Sequence, residues 1–444
     1  MIETESMKLA LAPEPEEPKE PKEVAPPPPP SRAHWCWWLA AVALAAGLFL
    51  RIWPWAGFTG IGFDEAIYRD DVIKLEAVGL SGYPAICQRY LEDQRKPEVI
   101  TKLPPTRFLY IYTAWMWKEY EFGDAKPVSP KAPNFAQLDP ALLSLHHVAC
   151  LFSCLGLIAS GLAAWRILGL RALPGVLALV AFSPLQIHLA QHALIDGVFT
   201  FWAIMNLWLL WENLRRPNDL RLLAAFAVTL ALMVLTKENS FFVYLALGGL
   251  VVVNRWAKFG TVTPSLLIAG IAGPLVGVGT LILLAGGFAQ FSEIYHLLVS
   301  KAETLTYAIK TGDGPWYRYI VDLLLISPLV LILAIGGIFT QVRKHPAYVY
   351  LVAFVGFSYA VMCNIRYGMN LRYASIWDLP LRALAAAQVA ALAGRFGTWQ
   401  PWVTGVAIAA LCAYDLRQYH LFFVHGGLYE LVTGGLLQIL KILK

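Results

Sequence analysis

Long apolar runs separated by short charged turns occupy the chain from Trp35 to Tyr414. A bilayer crossing needs about 20 mostly apolar residues, and by that measure the pattern predicts roughly eleven spans. They are Trp35–Trp53, Ala141–Leu168, Leu173–Leu189, Ala193–Trp211, Leu220–Thr236, Ser240–Val253, Pro264–Leu284, Tyr319–Thr340, Pro346–Met362, Leu379–Gly394 and Pro401–Tyr414. Between the first two lies a long polar interruption, residues 54–140. It carries an amphipathic stretch from Glu65 to Leu75 that reads as a helix along the membrane surface. In the last segment, residues 416–444, Leu428, Leu431, Val432, Leu436, Leu437, Leu440 and Leu443 recur at helical spacing. Two glycine pairs and Glu430 favour an interfacial amphipathic helix there over a further crossing.

Composition agrees with this pattern: 58% of residues are hydrophobic and 15% charged, with a mean hydropathy of +0.56. Such a balance excludes a soluble globular domain. Residues 1–34 differ, with seven glutamates against four basic residues and a run of prolines from Pro26 to Pro30. That composition predicts a disordered cytoplasmic tail, not a signal peptide. The tail is three charges negative and the whole chain is +5, so the membrane body holds +8. This surplus falls in turns containing Arg166 and Arg171, Arg215, Arg216 and Arg221, Arg255 and Lys258, Arg343 and Lys344, and Arg395. The turns alternate in register, which puts them and the N-terminus in the cytoplasm and gives no reason to expect nucleic acid as a partner. Residues 54–140, 286–318 and 363–378 are then extracytoplasmic. Of six cysteines, Cys36, Cys150, Cys154 and Cys412 lie in spans, and Cys87 with Cys363 does not justify a disulfide assignment.

Ionisable residues gather on the outer side. Asp64 and Glu65 stand just beyond the first span, where they are either chemically active or helix-start acids favoured by the dipole. Lys102 precedes Leu103-Pro104-Pro105 and is placed to meet a phosphate or to snorkel at the interface. Ser183-Pro184 breaks the third span. His188, His192 and Asp196 follow at steps of four, on roughly one face if helical, which admits a metal site or interfacial histidines. Asp196 opens an apolar span, where a carboxylate is costly unless paired or wet, though it also suits an N-cap. Lys237 lies in the tight turn Thr236-Lys237-Glu238-Asn239, read as near the surface. Arg318, Arg366 and Arg372 add cations, and Asp378 and Arg382 suit a helical ion pair. Mid-span positions are almost uniformly apolar. A transporter would more typically bury ionisable groups near the midplane.

The layout from about Trp35 to Asp415 resembles the lipid-dependent glycosyltransferases of the protein O-mannosyltransferase and aminoarabinose (lipid A) transferase superfamily. Phe63-Asp64-Glu65-Ala66-Ile67-Tyr68 is similar to that family's Asp-Glu motif, and Lys102-Leu103-Pro104-Pro105 to its Lys/His-Pro-Pro-Leu motif, with Leu103 inserted. Ser183-Pro184 through Asp196 resembles the segment ending in a second aspartate. Leu235-Thr236-Lys237-Glu238 resembles a Thr-Lys-Glu/Gly turn, and Leu371-Arg372-Tyr373 a late Arg-Tyr. Gln191-His192 stands where the family often has Ser-Arg, which leaves the partner of Asp196 open. The large soluble domain that some members carry after the last spans is not expected.

The resemblance implies an all-α integral-membrane C-type glycosyltransferase fold covering residues 35–415. It implies inverting transfer from a polyprenyl-phosphate-linked sugar to a lipid, glycan or protein acceptor on the extracytoplasmic face. In that chemistry Asp64 is the general base, Glu65 positions it or the acceptor, and Lys102, Lys237 and Arg372 hold the donor phosphate. Asp196 orients a cation or a sugar hydroxyl, while His192, Arg318 and Arg366 are secondary candidates. Members of the fold differ in metal dependence, so no cofactor is assigned and a divalent cation stays open. An oligosaccharyltransferase with a lipid-pyrophosphate donor, a flippase or transporter of lipid-linked sugars, and a scaffold recruiting through the proline tail are the alternatives. Compact loops favour a bacterial inner membrane over an endoplasmic reticulum.

Overall fold

The computed structural model describes residues 30–54, 61–96, 103–304, 309, 312–343, 345–365 and 369–442. Among the described residues every regular element is a helix. In chain order these are α1 (Pro30–Ile52), α2 (Phe63–Val78), α3 (Tyr83–Arg95), α4 (Phe108–Phe122), α5 (Phe135–Leu138), α6 (Pro140–Leu168), α7 (Leu173–Ala181), α8 (Pro184–Ala190), α9 (Ile195–Arg215) and α10 (Leu220–Thr236). There follow α11 (Ser240–Ala257), α12 (Pro264–Ala285), α13 (Phe288–Thr304), α14 (Arg318–Ile326), α15 (Pro328–Gln341), α16 (Pro346–Met362), α17 (Asp378–Ala393), α18 (Gln400–Tyr419) and α19 (Thr433–Ile439). By length and composition, five helical segments suffice to cross a bilayer: His34–Ile52, Pro140–Leu168, Ser240–Ala257, Pro264–Ala285 and the run Leu371–His425. The bent pair α7–α8 makes a sixth, and α10, α15 and α16 are shorter apolar helices.

Two expected spans are broken at Ser-Pro, the first where the sequence reading placed a break. α7 and α8 meet at 56° across Ser183-Pro184. Pro184 has no N–H for the carbonyl of Val180, which accepts instead from Ser183 N at 3.3 Å and Arg51 Nη2 at 3.2 Å, while Arg51 Nη1 reaches Ala181 O at 3.1 Å. The guanidinium is buried and also donates to Ser153 Oγ. Ser183 Oγ caps α8 by accepting from Gln186 N. Likewise Ser327-Pro328 divides the span expected over Tyr319–Thr340 into α14 and α15. The region 286–318, expected as a loop, contains α13.

Helices approach closely where glycine removes the side chain. On α12, Gly273 and Gly277 lie against the Ala227 and Ala231 carbonyls of α10, and on α15 Gly337 lies against Leu384 O of α17. Small residues at such contacts let dispersion and backbone packing hold helices together without a hydrophobic driving force. The helical ion pair expected between Asp378 and Arg382 forms near the start of α17. Arg382 of α17 bonds Asp415 of α18 at 2.6 Å and Asp378 at 2.7 Å, with Arg382 and Asp415 each 1% exposed. Each charge is tolerated in the interior because its neighbour neutralises it.

A second apolar cluster joins α2, α3 and α4 to the first turns of α6 and α9 and the ends of α10 and α12. It fixes the 63–122 helices on one end of the bundle. The same end collects the start of α9, the end of α10 and the short 3₁₀ turn Leu371–Trp377.

Candidate active site

At that end, five chain segments meet. α2 begins at Phe63, so Asp64 and Glu65 occupy its first turn, but their carboxylates have different surroundings. Glu65 is buried. Its Oε2 accepts from the N–H of Gly62 at 2.6 Å, as a third-position glutamate does in a capping box. Its Oε1 accepts from Ala193 N at 2.8 Å and lies 3.3 Å from His192 Nδ1. Burial alone would raise its titration. The hydrogen bond and charge of His192, with His146 and the Gly62 N–H, outweigh that and hold the carboxyl down at about 2. Both oxygens are therefore committed, Oε2 to the start of α2 itself and Oε1 to fastening α2 onto the 191–194 turn. Asp64 remains at the edge, its side chain 14% exposed, with Oδ2 2.9 Å from Arg372 Nη1.

Arg372 is the centre of the cluster. It sits in the 3₁₀ turn and reaches Asp64, Asp196 Oδ2 at 4.0 Å and Glu430 Oε2 at 3.4 Å. Burial disfavours its charge, yet these three carboxylates more than compensate and raise its affinity for the proton. Asp196 lies one residue into α9, whose N-cap is Leu194, so the capping reading does not hold. Its partner is Lys237 at 2.6 Å. Lys237 is buried, not near the surface as expected. The turn after α10 points inward, and Nζ also lies 4.2 Å from the centre of the Tyr373 ring. Desolvation lowers its titration, and Asp196 opposes that.

Glu238 does not pair with its neighbour Lys237. It accepts from Arg107, with Arg107 Nε at 3.1 Å from Oε2, and Arg107 also bonds the Tyr68 hydroxyl. Arg107 therefore links the segment after Pro104-Pro105 to α2 and to the α10–α11 turn. Sequence reading gave no role to Arg107, Tyr68, Glu238 or Tyr373, although the last three stand inside the motifs quoted above and Arg107 carries its charge beside the proline pair.

His188, His192 and Asp196 do not share a helical face, because the chain unwinds between Ala190 and Ile195. The two histidine rings lie 4.5 Å apart, and His188 stacks on Phe423. Gln191, in the position where Ser-Arg was looked for, instead caps α1 by donating to Arg51 O and Trp53 O. No group of three histidine, cysteine, aspartate or glutamate side chains among the described residues is disposed to hold a metal ion. Arg318 stands apart from the cluster and bonds Asp313 O and Thr433 Oγ1. Lys102 and Arg366 lie outside the described residues.

The 416–444 segment contributes what its sequence did not suggest. α18 runs on to Tyr419, a π-type turn follows, and residues 426–432 cross the cluster before α19. Glu430 Oε2 accepts from Asn370 Nδ2 at 2.9 Å, and Tyr429 packs edge-on against His192 and flat over Gly62.

A family model described as dolichyl-phosphate-mannose-protein mannosyltransferase matches residues 143–298. The chain is similar in structure to ArnT from Cupriavidus metallidurans bound to undecaprenyl phosphate. The TM-score there is 0.51 at 13% identity, over 87% of this chain and 75% of that one. It is similar also to the oligosaccharyltransferase AglB from Archaeoglobus fulgidus, in complex with an inhibitory peptide and a dolichol-phosphate. That likeness has a TM-score of 0.55 at 12% identity and covers 87% of this chain. The match spans 56% of AglB, little more than half its length. No curated protein matches by sequence. The chain thus shares its fold with these integral-membrane glycosyltransferases, and the family match covers residues 143–298 of it.

Proposed function

We propose that this protein transfers a sugar from a polyprenyl-phosphate donor to an acceptor on the extracytoplasmic face of the membrane, inverting the anomeric centre. The observation that carries the reading is the Asp64–Arg372 contact at 2.9 Å, with Asp64 the most accessible of the three acids Asp64, Glu65 and Asp196. An acceptor hydroxyl attacks C1 of the sugar and its proton passes to Asp64. The C1–O bond breaks, and its electron pair goes to the phosphate, whose growing charge Arg372 stabilises by charge-assisted hydrogen bonds. Glu65 positions the α2 terminus, and the Asp196–Lys237 pair sets Arg372 and lends positive charge beside the phosphate. Lys102 is assigned to the same phosphate.

The topology supports an outer-face site. α6 and α9 both start at the cluster and end at the Arg166–Glu212 pair, 2.5 Å apart, among the basic turns. The partners of this chemistry are the lipid-linked donor, a lipid, glycan or protein acceptor, and the bilayer. The test is transfer in proteoliposomes. Asp64→Asn is expected to lower the rate by about 10²–10⁴-fold while inserting and purifying as wild type. Full retained activity removes Asp64 from the mechanism.

A further inference from the structure

Carboxylates crowd the described cations nearest Arg372. Among the described residues in contact with one another there, Lys237 and Arg372 face three carboxylates: Asp64, Asp196 and Glu430. Within this set the carboxylates outnumber the cations by one, and withdrawal of one carboxylate removes that excess. The three are held very differently. Asp196 is buried against Lys237 at 2.6 Å, and Asp64 is built into the first turn of α2. Glu430 lies 3.4 Å from Arg372, against 2.9 Å for Asp64 and 4.0 Å for Asp196, and is the most exposed of the three, at 25%.

Glu430 also sits on a segment without regular structure, residues 426–432. Glycine pairs bracket it, Gly426-Gly427 and Gly434-Gly435, and Gly427 has φ +58°, a conformation that glycine adopts without strain. Leu431 anchors it in the core, and its backbone bonds outside the segment are Leu371 N to Leu431 O at 3.2 Å, Gly426 N to Leu421 O and Leu428 N to Phe422 O at 3.0 Å, and Leu436 N to Val432 O at 3.2 Å, while Asn370 Nδ2 donates to Glu430. Two buried polar atoms beside it, Arg372 Nε and Tyr429 Oη, have no hydrogen-bond partner among the described residues. A buried guanidinium Nε without an acceptor is costly, and a phosphate offers the acceptors that one carboxylate does not.

We infer that residues 426–432 form a strap whose Glu430 carboxylate occupies the seat of a lipid-linked phosphate on Arg372, and that the strap lifts when that phosphate enters. The inference rests on the donor chemistry proposed above. Phosphate takes the place of Glu430, gains Arg372 Nη2 and Nε as donors, and frees Asn370. The glycine pairs absorb the backbone change, and the Tyr429 ring moves off Gly62. The strap thus keeps Arg372 neutralised and shielded until donor arrives.

Undecaprenyl phosphate, titrated into the full chain in detergent micelles and followed by tryptophan fluorescence, tests the seat. Removing the competing charge with Glu430→Gln is expected to tighten binding about tenfold. Hydrogen exchange on the wild-type chain provides a readout that needs no variant: saturating undecaprenyl phosphate should speed exchange at the Leu371 amide and across 426–432. Unchanged or weaker binding by Glu430→Gln, or a strap as protected with lipid as without it, overturns the inference while the wild type still binds. If neither wild type nor variant binds undecaprenyl phosphate, the donor reading falls and the strap with it.

Discussion

Lys237 Nζ and Asp196 Oδ1 lie 2.6 Å apart with both side chains 2% exposed, joining the end of α10 to the start of α9. Neither charge has access to water, so each depends on the other. Removing one partner strands a buried charge, which costs about 3–5 kcal/mol. Lys237→Met is expected to lower the thermal midpoint in detergent sharply. The double variant Lys237→Met/Asp196→Leu should recover much of that loss, since no lone charge remains. A double variant no better than the single one would show that the pair is not coupled.

Arg372 reaches Asp64 and Glu430 through its two terminal nitrogens. Lysine keeps the charge but has one nitrogen and no fork. Arg372→Lys should therefore fold, yet lose about 10²–10³-fold in kcat/KM for donor. Steady-state kinetics with a synthetic polyprenyl-phosphate sugar is the check, and near-normal kinetics would mean that a point charge suffices.

Gly62 has no room for a side chain, because any Cβ would overlap the Tyr429 ring. Gly62→Ala is expected to displace Tyr429 and raise hydrogen exchange over residues 426–432, with α6 and α9 unchanged. Peptide-resolved exchange would show whether the effect is confined in this way.

Glu65 adds an acid-side dependence. Its folded carboxyl titrates near 2, below its ordinary value of 4.5, so the unfolded chain takes up the proton first as pH falls. The stability it contributes is complete above about 4.5 and drains away toward 2. His192 and His146 face it. Glu65→Gln should be less stable near neutrality and show a shallower loss between those two pH values, as read by thermal melts across that range.

Arg382 lies outside the proposed chemistry, and its bonds to Asp378 and Asp415 hold α17 to α18. Arg382→Met should reduce the yield of folded protein by stranding Asp415 in the interior. The fraction that folds should transfer sugar at the normal rate. A rate loss per folded molecule would tie this pair to the site.

Much of the helical layout was readable from the amino acids. α10 and α16 coincide with the stretches Leu220–Thr236 and Pro346–Met362, since apolar continuity and polar stops act over neighbouring residues. The break at Ser183-Pro184 was readable for the same reason, although the equivalent break at Ser327-Pro328 was passed over. The acids and bases of the cluster could be nominated as a set because residue type and membrane side are properties of the chain order. Their pairing could not. Asp64 and Arg372 are 308 positions apart, Asp196 and Lys237 41, and Arg107 and Glu238 131. Nothing in the local pattern ranks one such partner above another.

Sequence by itself therefore determined the apolar helices, the polar ends that cap them, and the supply of carboxylates and cations at one of those ends. Tertiary structure alone decided that Glu65 is spent on backbone amides, that Lys237 turns inward, and that Glu430 lies across Arg372. The reason is range. Burial and helical period act between near neighbours, whereas an ion pair is chosen by which distant segments packing brings within a few ångströms.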